Sequence, residues 1–283
     1  MNTQSTYGAR VKWFQSQYEI VLRNALVAEK VCSVDRTDTK TIQNPYGSQP
    51  TATVQAVAGT YSVTAWTVTD DALTVTDEVI YGEHIYAHEE FFAKFAIAQS
   101  RIDNMMYAVA AGIDKFVLNN LCEDATGAYT TPTGGFTTAA NIIEIMANLV
   151  SKTAGYQETY NGLFLVIENT DLVGFAMAGA TNGFSMADSV LRNGFMNQYM
   201  GVDIYVVRSG TFVDATIGTT TVTNSGHRVF GVKNVATYAS PRGLQYEEKA
   251  VTGKTGREIA VFGLVGFKLW ATKTALVTDI TLA

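Results

Sequence analysis

The sequence predicts an α+β fold organised around one long helix, and three patterns predict it. From His88 to about Cys122 apolar residues recur at steps of three and four: Phe91/Phe92, Phe95, Ala98, Ile102, Met105/Met106, Val109, Ile113, Phe116/Val117, Leu121. That is one face of a 3.6-residue helix, uninterrupted by proline. Before it, residues 35–82 are polar and alternate with period two, as half-buried strands do. After it, NGLFLVIEN (161–169) and MGVDIYVVRSG (200–210) are continuous apolar runs with helical segments between them, the signature of a small α/β unit.

In chain order, residues 1–10 are polar and read as a flexible arm. Val11, Phe14, Tyr18, Val21/Leu22, Ala25/Leu26 and Val31 then mark an amphipathic helix within 11–34 that stops near Lys30. The turn-rich stretch 35–51 leads into strands at 51–56 and 61–66 and a third from Leu73 to Tyr81. Gly59-Thr60 and Asp70-Asp71 mark the turns, the latter as a solvated pair. Such a hairpin is marginal in water by itself and needs a neighbour. Tyr61 and Trp66 are either cross-strand aromatics that stabilise the hairpin or anchors for another subunit. On the long helix Ile113 falls on the apolar stripe and Asp114 one step off it. Ile113→Asp should therefore be costly and Asp114→Ala nearly neutral.

Residues 123–136 read as a Gly/Thr/Pro loop. A helix follows over 138–153 with Ile142/Ile143, Ile145/Met146 and Leu149/Val150 inward, and short helices fall near 170–178 and 185–192. Gly210–Gly226 reads as an exposed, mobile Thr/Gly-rich loop. HRVFGVKNVATYASP (227–241) is extended in part. LQYEEKAV and REIAVFGLVGFKLW form a hairpin around TGKTG, and TALVTDITL is a closing strand.

Of the 283 residues 47% are hydrophobic and only 16% charged, a depletion expected when much surface is buried between subunits. A net charge of −6 argues against a basic nucleic-acid-binding face. No run of about 18 apolar residues marks a membrane span, and MNTQSTYGARVKWF has no apolar signal core. Cys32 and Cys122 lack CxxC spacing and read as buried free thiols, with a disulfide between them as the other option. His84 and His88 would share a helix face at the acidic start of the long helix, but HIYAH has Ile85 where a zincin needs its glutamate. His227 reads as a surface residue. GKTG (253–256) lacks the first glycine of a phosphate loop and has strand-like flanks, so it reads as a turn. Catalytic, metal and cofactor sites are therefore all expected to be absent, and an α/β enzyme with an unrecognised site is the remaining catalytic alternative.

The order of elements resembles the major capsid proteins of tailed bacteriophages with the HK97-type fold. Residues 35–82 look like that family's extended loop and 88–122 like its spine helix. NGLFLVIEN and MGVDIYVVRSG look like central strands of its axial domain. RVFGVKNVATYASP, with a Gly231-Val232-Lys233 turn, and the tyrosine-containing hairpin after it look like the return through the peripheral domain. The resemblance implies an N-arm and first helix at 1–34, an extended loop at 35–84, a peripheral domain at 85–135 and 243–283, and an axial domain at 136–242. It implies a structural subunit, not an enzyme, that assembles in the host cytoplasm into hexamers and pentamers of a virion shell around double-stranded DNA. The DNA would be held by non-specific contact, with a separate scaffolding protein, a portal and room for a decoration protein as partners. An encapsulin-type compartment for protein cargo is the nearest alternative. Lys40, Tyr61, Trp66, Asp70 and Asp71 are the expected intersubunit contacts. Some family members crosslink a lysine to an asparagine. Lys40 is the arm's one lysine, but no matching partners are evident and no crosslink is predicted. Replacing residues 38–80 by a short linker is expected to leave the subunit folded and prevent shell formation.

Overall fold

A computed structural model describes residues 26–47, 54, 59, 65–86, 96–156, 161–181, 195–250 and 255–283. The amphipathic helix expected over 11–34 is described only at its end, where α1 (Ala28–Val31) stops one residue past Lys30 and gives way to strand β1 (Ser33–Asp35). The limbs of the polar arm pair antiparallel: β2 (Thr41–Gln43) and β3 (Tyr46–Gly47) descend, and β4 (Val68–Thr69) and β5 (Ala72–Thr74) return. Most of the expected strands 51–56 and 61–66 lies outside the described residues. The third expected strand is two elements: β5, then β6 (Asp77–Tyr86), which turns away to pair with the body over all ten of its residues.

The long helix α2 is described from Ala96 to Glu123, 28 residues and about 42 Å. It lies between two sheets. A five-stranded sheet has the order β1–β14–β16–β15 with β6 also on β16, and comprises β14 (Ala236–Ala239), β15 (Gln245–Ala250) and the fourteen-residue β16 (Gly256–Leu269). A six-stranded mixed sheet has the order β7–β17–β13–β8–β10–β9. Its members are β7 (Gly127–Thr130), β8 (Leu163–Glu168), β9 (Phe195–Tyr199), β10 (Val202–Val207), β13 (His227–Val232) and β17 (Val277–Thr281). One side of α2 meets β6 and β16, and the other meets β13 and β17. Gly112 permits the first approach, because a Cβ there would stand 3.1 Å from Val79 Cγ1.

This sandwich explains where the one-stripe reading of the helix fails. Met105, Met106, Val109, Ile113, Phe116, Val117 and Leu121 are buried as expected, but so are Ala110, Leu118, Cys122, Asp114, Asn119 and Asn120. A helix covered on two sides must satisfy polar groups internally. Asn119 and Asn120 do so partly through the carbonyls of Lys115 and Phe116.

Helix α3 (Ala139–Thr153) buries Ile142, Ile145, Met146 and Leu149, whereas Ile143 faces solvent. It packs against α4 (Leu172–Thr181), and Phe136 stacks on Phe175 at 5.7 Å between ring centroids. Gly174 passes so close to the Phe136 carbonyl that a Cβ would run into it. Strands β8 and β10 are parallel with α4 between them in sequence, which is the expected α/β unit. The expected helix at 185–192 lies outside the described residues. Strand β9 was not anticipated. It joins β10 through Met200 (φ 52°) and Gly201 (φ 78°), two left-handed residues of the kind tight hairpins require.

Two further expectations are corrected. The loop at 123–136 contains β7, which adds to the edge of β17, and a 3₁₀ turn at Gly135–Thr137. The loop at 210–226 is a hairpin of β11 (Asp214–Ile217) and β12 (Thr220–Thr223) held down on the body, not a mobile segment. Strands β7 and β17 belong to the six-stranded sheet, and β14 belongs to the five-stranded one. The expected hairpin of β15 and β16 is present, with Ala250 opposite Arg257, so strands flank GKTG on both sides.

Candidate assembly interface and its anchors

The described limbs of the arm, 41–47 and 68–74, pair as a two-stranded ribbon closed at its root by the Val75 N–H on the Lys40 carbonyl (2.9 Å). Its limbs alternate, so one set of side chains turns to the body. Leu73 and Val75 pack with Ala239 and Trp270, flanked by Ile42, in an apolar cluster separate from the main core. Trp270 Nε1 donates to Thr237 Oγ1 (3.0 Å), which fixes the ring beneath the arm. The arm therefore has a small core at its root, where the sequence suggested none. Replacing 38–80 would remove that core and part of β6, so the arm can be trimmed cleanly only nearer its tip.

The predicted contact residues have different places. Lys40 is exposed and borders a cavity of about 530 Å³ whose floor includes Val75, Phe262 and Leu264 and whose rim carries Asp38, Glu78 and Arg242. Tyr61 lies outside the described residues. Trp66 is 68% exposed and its ring covers Gly47 on the opposite limb, where a Cβ would collide with it. It thus stabilises the ribbon and still offers most of its surface. Asp70 is exposed. Asp71 corrects the reading of a solvated turn: it is 9% exposed, accepts from the Ala271 N–H (2.9 Å) and pairs with Lys268 (3.4 Å). Its carboxylate pins the returning limb to β16.

Sequence reasoning missed the other anchors because each partner is remote in the chain. Arg242 (φ 62°), at the turn between β14 and β15, pairs with Asp38 at 3.0 Å. Asp77 accepts from the Thr219 N–H (2.7 Å) and the Thr76 hydroxyl (2.9 Å). Asp114 accepts from the N–H groups of Val27 (3.2 Å) and Ala28 (2.8 Å), closing the start of α1 onto α2. Burial raises the Asp114 carboxyl to a pKa of about 7, against the lowering pull of those two bonds and of Lys30. Glu168 and Asp171 share Arg228 in the six-stranded sheet. Glu168 Oε1 also takes the N–H groups of Gly210, Thr211 and Phe212 at 3.0, 3.1 and 3.4 Å.

The histidines and cysteines have the following places. His84 sits on β6, not at a helix start, in edge contact with Tyr86 (4.4 Å between centroids). His88 lies outside the described residues. His227 is partly buried and hydrogen-bonded through Nδ1 with Asp279 (2.9 Å), in place of the surface role expected. Asp279 also hydrogen-bonds Cys122, so the carboxylate stands between imidazole and thiol, and burial raises the Cys122 thiol well above its usual range. Cys32 and Cys122 are both free and buried, and burial raises Cys32 to about 12. Among the described residues no His/Cys/Asp/Glu cluster could hold a metal ion, and no helix is long and apolar enough to cross a membrane.

No protein-family model and no curated protein matches the chain. Solved structures do. The capsid structure of the cyanophage P-SCSP1u is similar at 12% identity over 92% of this chain and 89% of that one, with a TM-score of 0.68. A structure from Mycobacterium phage Ogopogo is similar at 13% identity over 91% and 92%, TM-score 0.67. A virus-like particle from Pyrococcus furiosus is similar at 8% identity over 96% and 99%, TM-score 0.61. At these identities it is the fold that is shared, and it is the HK97-type fold of phage capsid structures.

Proposed function

We propose that the protein is the major capsid subunit of a tailed bacteriophage: a structural protein that self-assembles into hexamers and pentamers of a closed head around double-stranded DNA. One observation carries this reading. The likeness to the cyanophage capsid structure runs through nine-tenths of both chains, so no large part of either fold is left to serve another purpose. The polar arm fits the same role. It is a ribbon with a firm root, its described residues Trp66, Val68 and Asp70 are exposed, and a two-stranded ribbon is marginal until something covers it. Lys40, Trp66, Asp70 and, beyond the described residues, Tyr61 meet a neighbouring subunit, while Asp71 holds the limb that presents them. The net charge of −6 suits a wall that touches DNA without binding it tightly. A separate scaffolding protein, a portal and a decoration protein complete the expected partners, and assembly takes place in the host cytoplasm.

Negative-stain microscopy of the purified protein, with nucleic acid quantified in the particles, tests the proposal. Closed shells, filled with DNA when made during infection, are expected. Shells that carry a co-purifying protein and no nucleic acid would favour the compartment reading. A single species near 30.6 kDa that never assembles, even beside its scaffold, would refute both.

A further inference from the structure

The β11–β12 hairpin is fastened at both ends to elements that are far from it in sequence. At its tip the Thr219 N–H and hydroxyl donate to the two carboxylate oxygens of Asp77 (2.7 and 3.3 Å). Gly218 (φ 61°) lies so close that a Cβ would run into the same carboxylate. At its foot Asn119 of α2 accepts from the Val213 N–H (3.2 Å) and donates to the Thr211 carbonyl (2.8 Å), and Asn224 Nδ2 donates to the Asn119 carbonyl (2.9 Å). Thr223 N–H donates to Glu123 on the last turn of α2 (3.0 Å). Just below, Glu168 grips the main chain of 210–212 and is itself held by Arg228. Asp77 is the first residue of β6, the point where the returning limb of the arm joins the body.

We propose that the β11–β12 hairpin is a strut that sets the elevation of the arm, tying Asp77 at the arm's return to the end of the long helix and to the six-stranded sheet, and that opening the Thr219–Asp77 contact lets the arm swing about its root. The apolar anchor of the arm among the described residues is the small cluster around Trp270, which restrains sliding better than tilting. Bonds that end on a carboxylate are directional and stronger than neutral ones, so the Asp77 contacts add to those of Asp71 with Ala271 and Lys268 in restraining tilt. Because the foot of the strut is seated on the spine and on the central sheet, movement of either is delivered to the arm, and the ribbon's length amplifies it toward the tip. What the arm's angle then controls, the curvature at which subunits meet, rests on the shell reading above; the latch itself does not.

Asp77→Ala removes the acceptor and Gly218→Ala displaces it, each by a different route, while Glu78→Gln alters an exposed neighbour as a control. The local assay is the rate of tryptic cleavage after Lys40 in dispersed full-length protein, with the melting temperature measured alongside. Both variants should be cleaved at least tenfold faster at a temperature well below the melting point of either, and the control should match the parent. The assembly assay is the distribution of particle diameters, which should broaden in both variants. Equal cleavage in parent and variants would overturn the strut. Faster cleavage with uniform, parent-sized particles would overturn its control of curvature. Faster cleavage in a protein whose parent forms no shells would sink the capsid reading and leave the latch standing.

Discussion

Asp114→Ala separates the structure from the simple stripe reading of the long helix. The residue is 8% exposed, and its loss leaves two buried N–H groups, of Val27 and Ala28, without acceptors. Each such orphan costs ~1–3 kcal/mol, which gives a deficit of about 3 kcal/mol when the parent carboxyl is neutral. That state prevails below its folded pKa of about 7, whereas the unfolded carboxyl ionises near 3.8. Folding therefore takes up a proton. The stability this contributes is fully present below the unfolded value and is lost as pH rises through about 7. Linkage between pH 5.8 and 8.2, a window clear of the pI near 5.1, amounts to roughly 1.5 kcal/mol. The parent should lose that amount on going to pH 8.2, and the variant, which has no such carboxyl, should not. The gap between them should narrow from about 3 to about 1.5 kcal/mol, or from roughly 5 °C to 2–3 °C in melting temperature for a chain of this size. Tryptophan-fluorescence melts of the dispersed subunit at both pH values measure it. A variant that melts within about a degree of the parent at pH 5.8, or a gap that stays constant with pH, would show that Asp114 does not hold the start of α1.

Four other outcomes are expected. Arg228→Leu strands Glu168 and Asp171 as unpaired buried carboxylates and should cost about 3–5 kcal/mol in chemical denaturation, so a normal midpoint would deny that the three form one cluster. Gly174→Ala pushes a methyl into the Phe136 carbonyl and should lower the melting temperature by several degrees, whereas Gly210→Ala, with open space around it but a left-handed φ of 81°, should cost only the ~1 kcal/mol of backbone strain. Ile113→Asp buries a carboxylate in the packed seam of α2 and should yield little soluble subunit; normal expression and melting would put the helix in another register. Replacing 48–65 by a short Gly/Ser turn should preserve the circular dichroism spectrum and abolish closed shells, and intact particles of normal size would remove the arm from assembly.

The elements legible in the sequence were those whose signal is local. Long periodic or continuous apolar runs marked α2, α3, β8, β10 and the β15–β16 hairpin, because burial of one face or of a whole strand leaves its imprint residue by residue. Strands β7, β9, β11 and β12 were missed for a shared reason. They are short, and Gly127–Thr130 and Thr220–Thr223 carry the Thr and Gly expected of loops; a partner strand, not their own composition, makes them extended. The arm's polar alternation was visible, but its root was not. Asp71 meets Ala271 across 200 residues, and Asp77 meets Thr219 across 142. An aspartate beside another aspartate, or ahead of a strand, looks the same whether water or a distant N–H receives it. Asp114 misled for a related reason: one stripe of apolar residues shows a helix packed on one side, and the N–H groups of Val27 and Ala28 that cover Asp114 come from 87 and 86 residues away.

The position of β17 has a consequence for timing during synthesis. It lies between β7 and β13, so the six-stranded sheet remains split until residues 277–281 have emerged. Strand β7 is made about 150 residues earlier, a wait of roughly ten to thirty seconds at ~5–20 residues per second. Strand β6 likewise waits for β16 and β1 for β14. A nascent chain therefore carries its arm for many seconds before it has a body on which to mount it. Polar, threonine-rich limbs suit such an interval, since an apolar arm of the same length would invite pairing between neighbouring nascent chains.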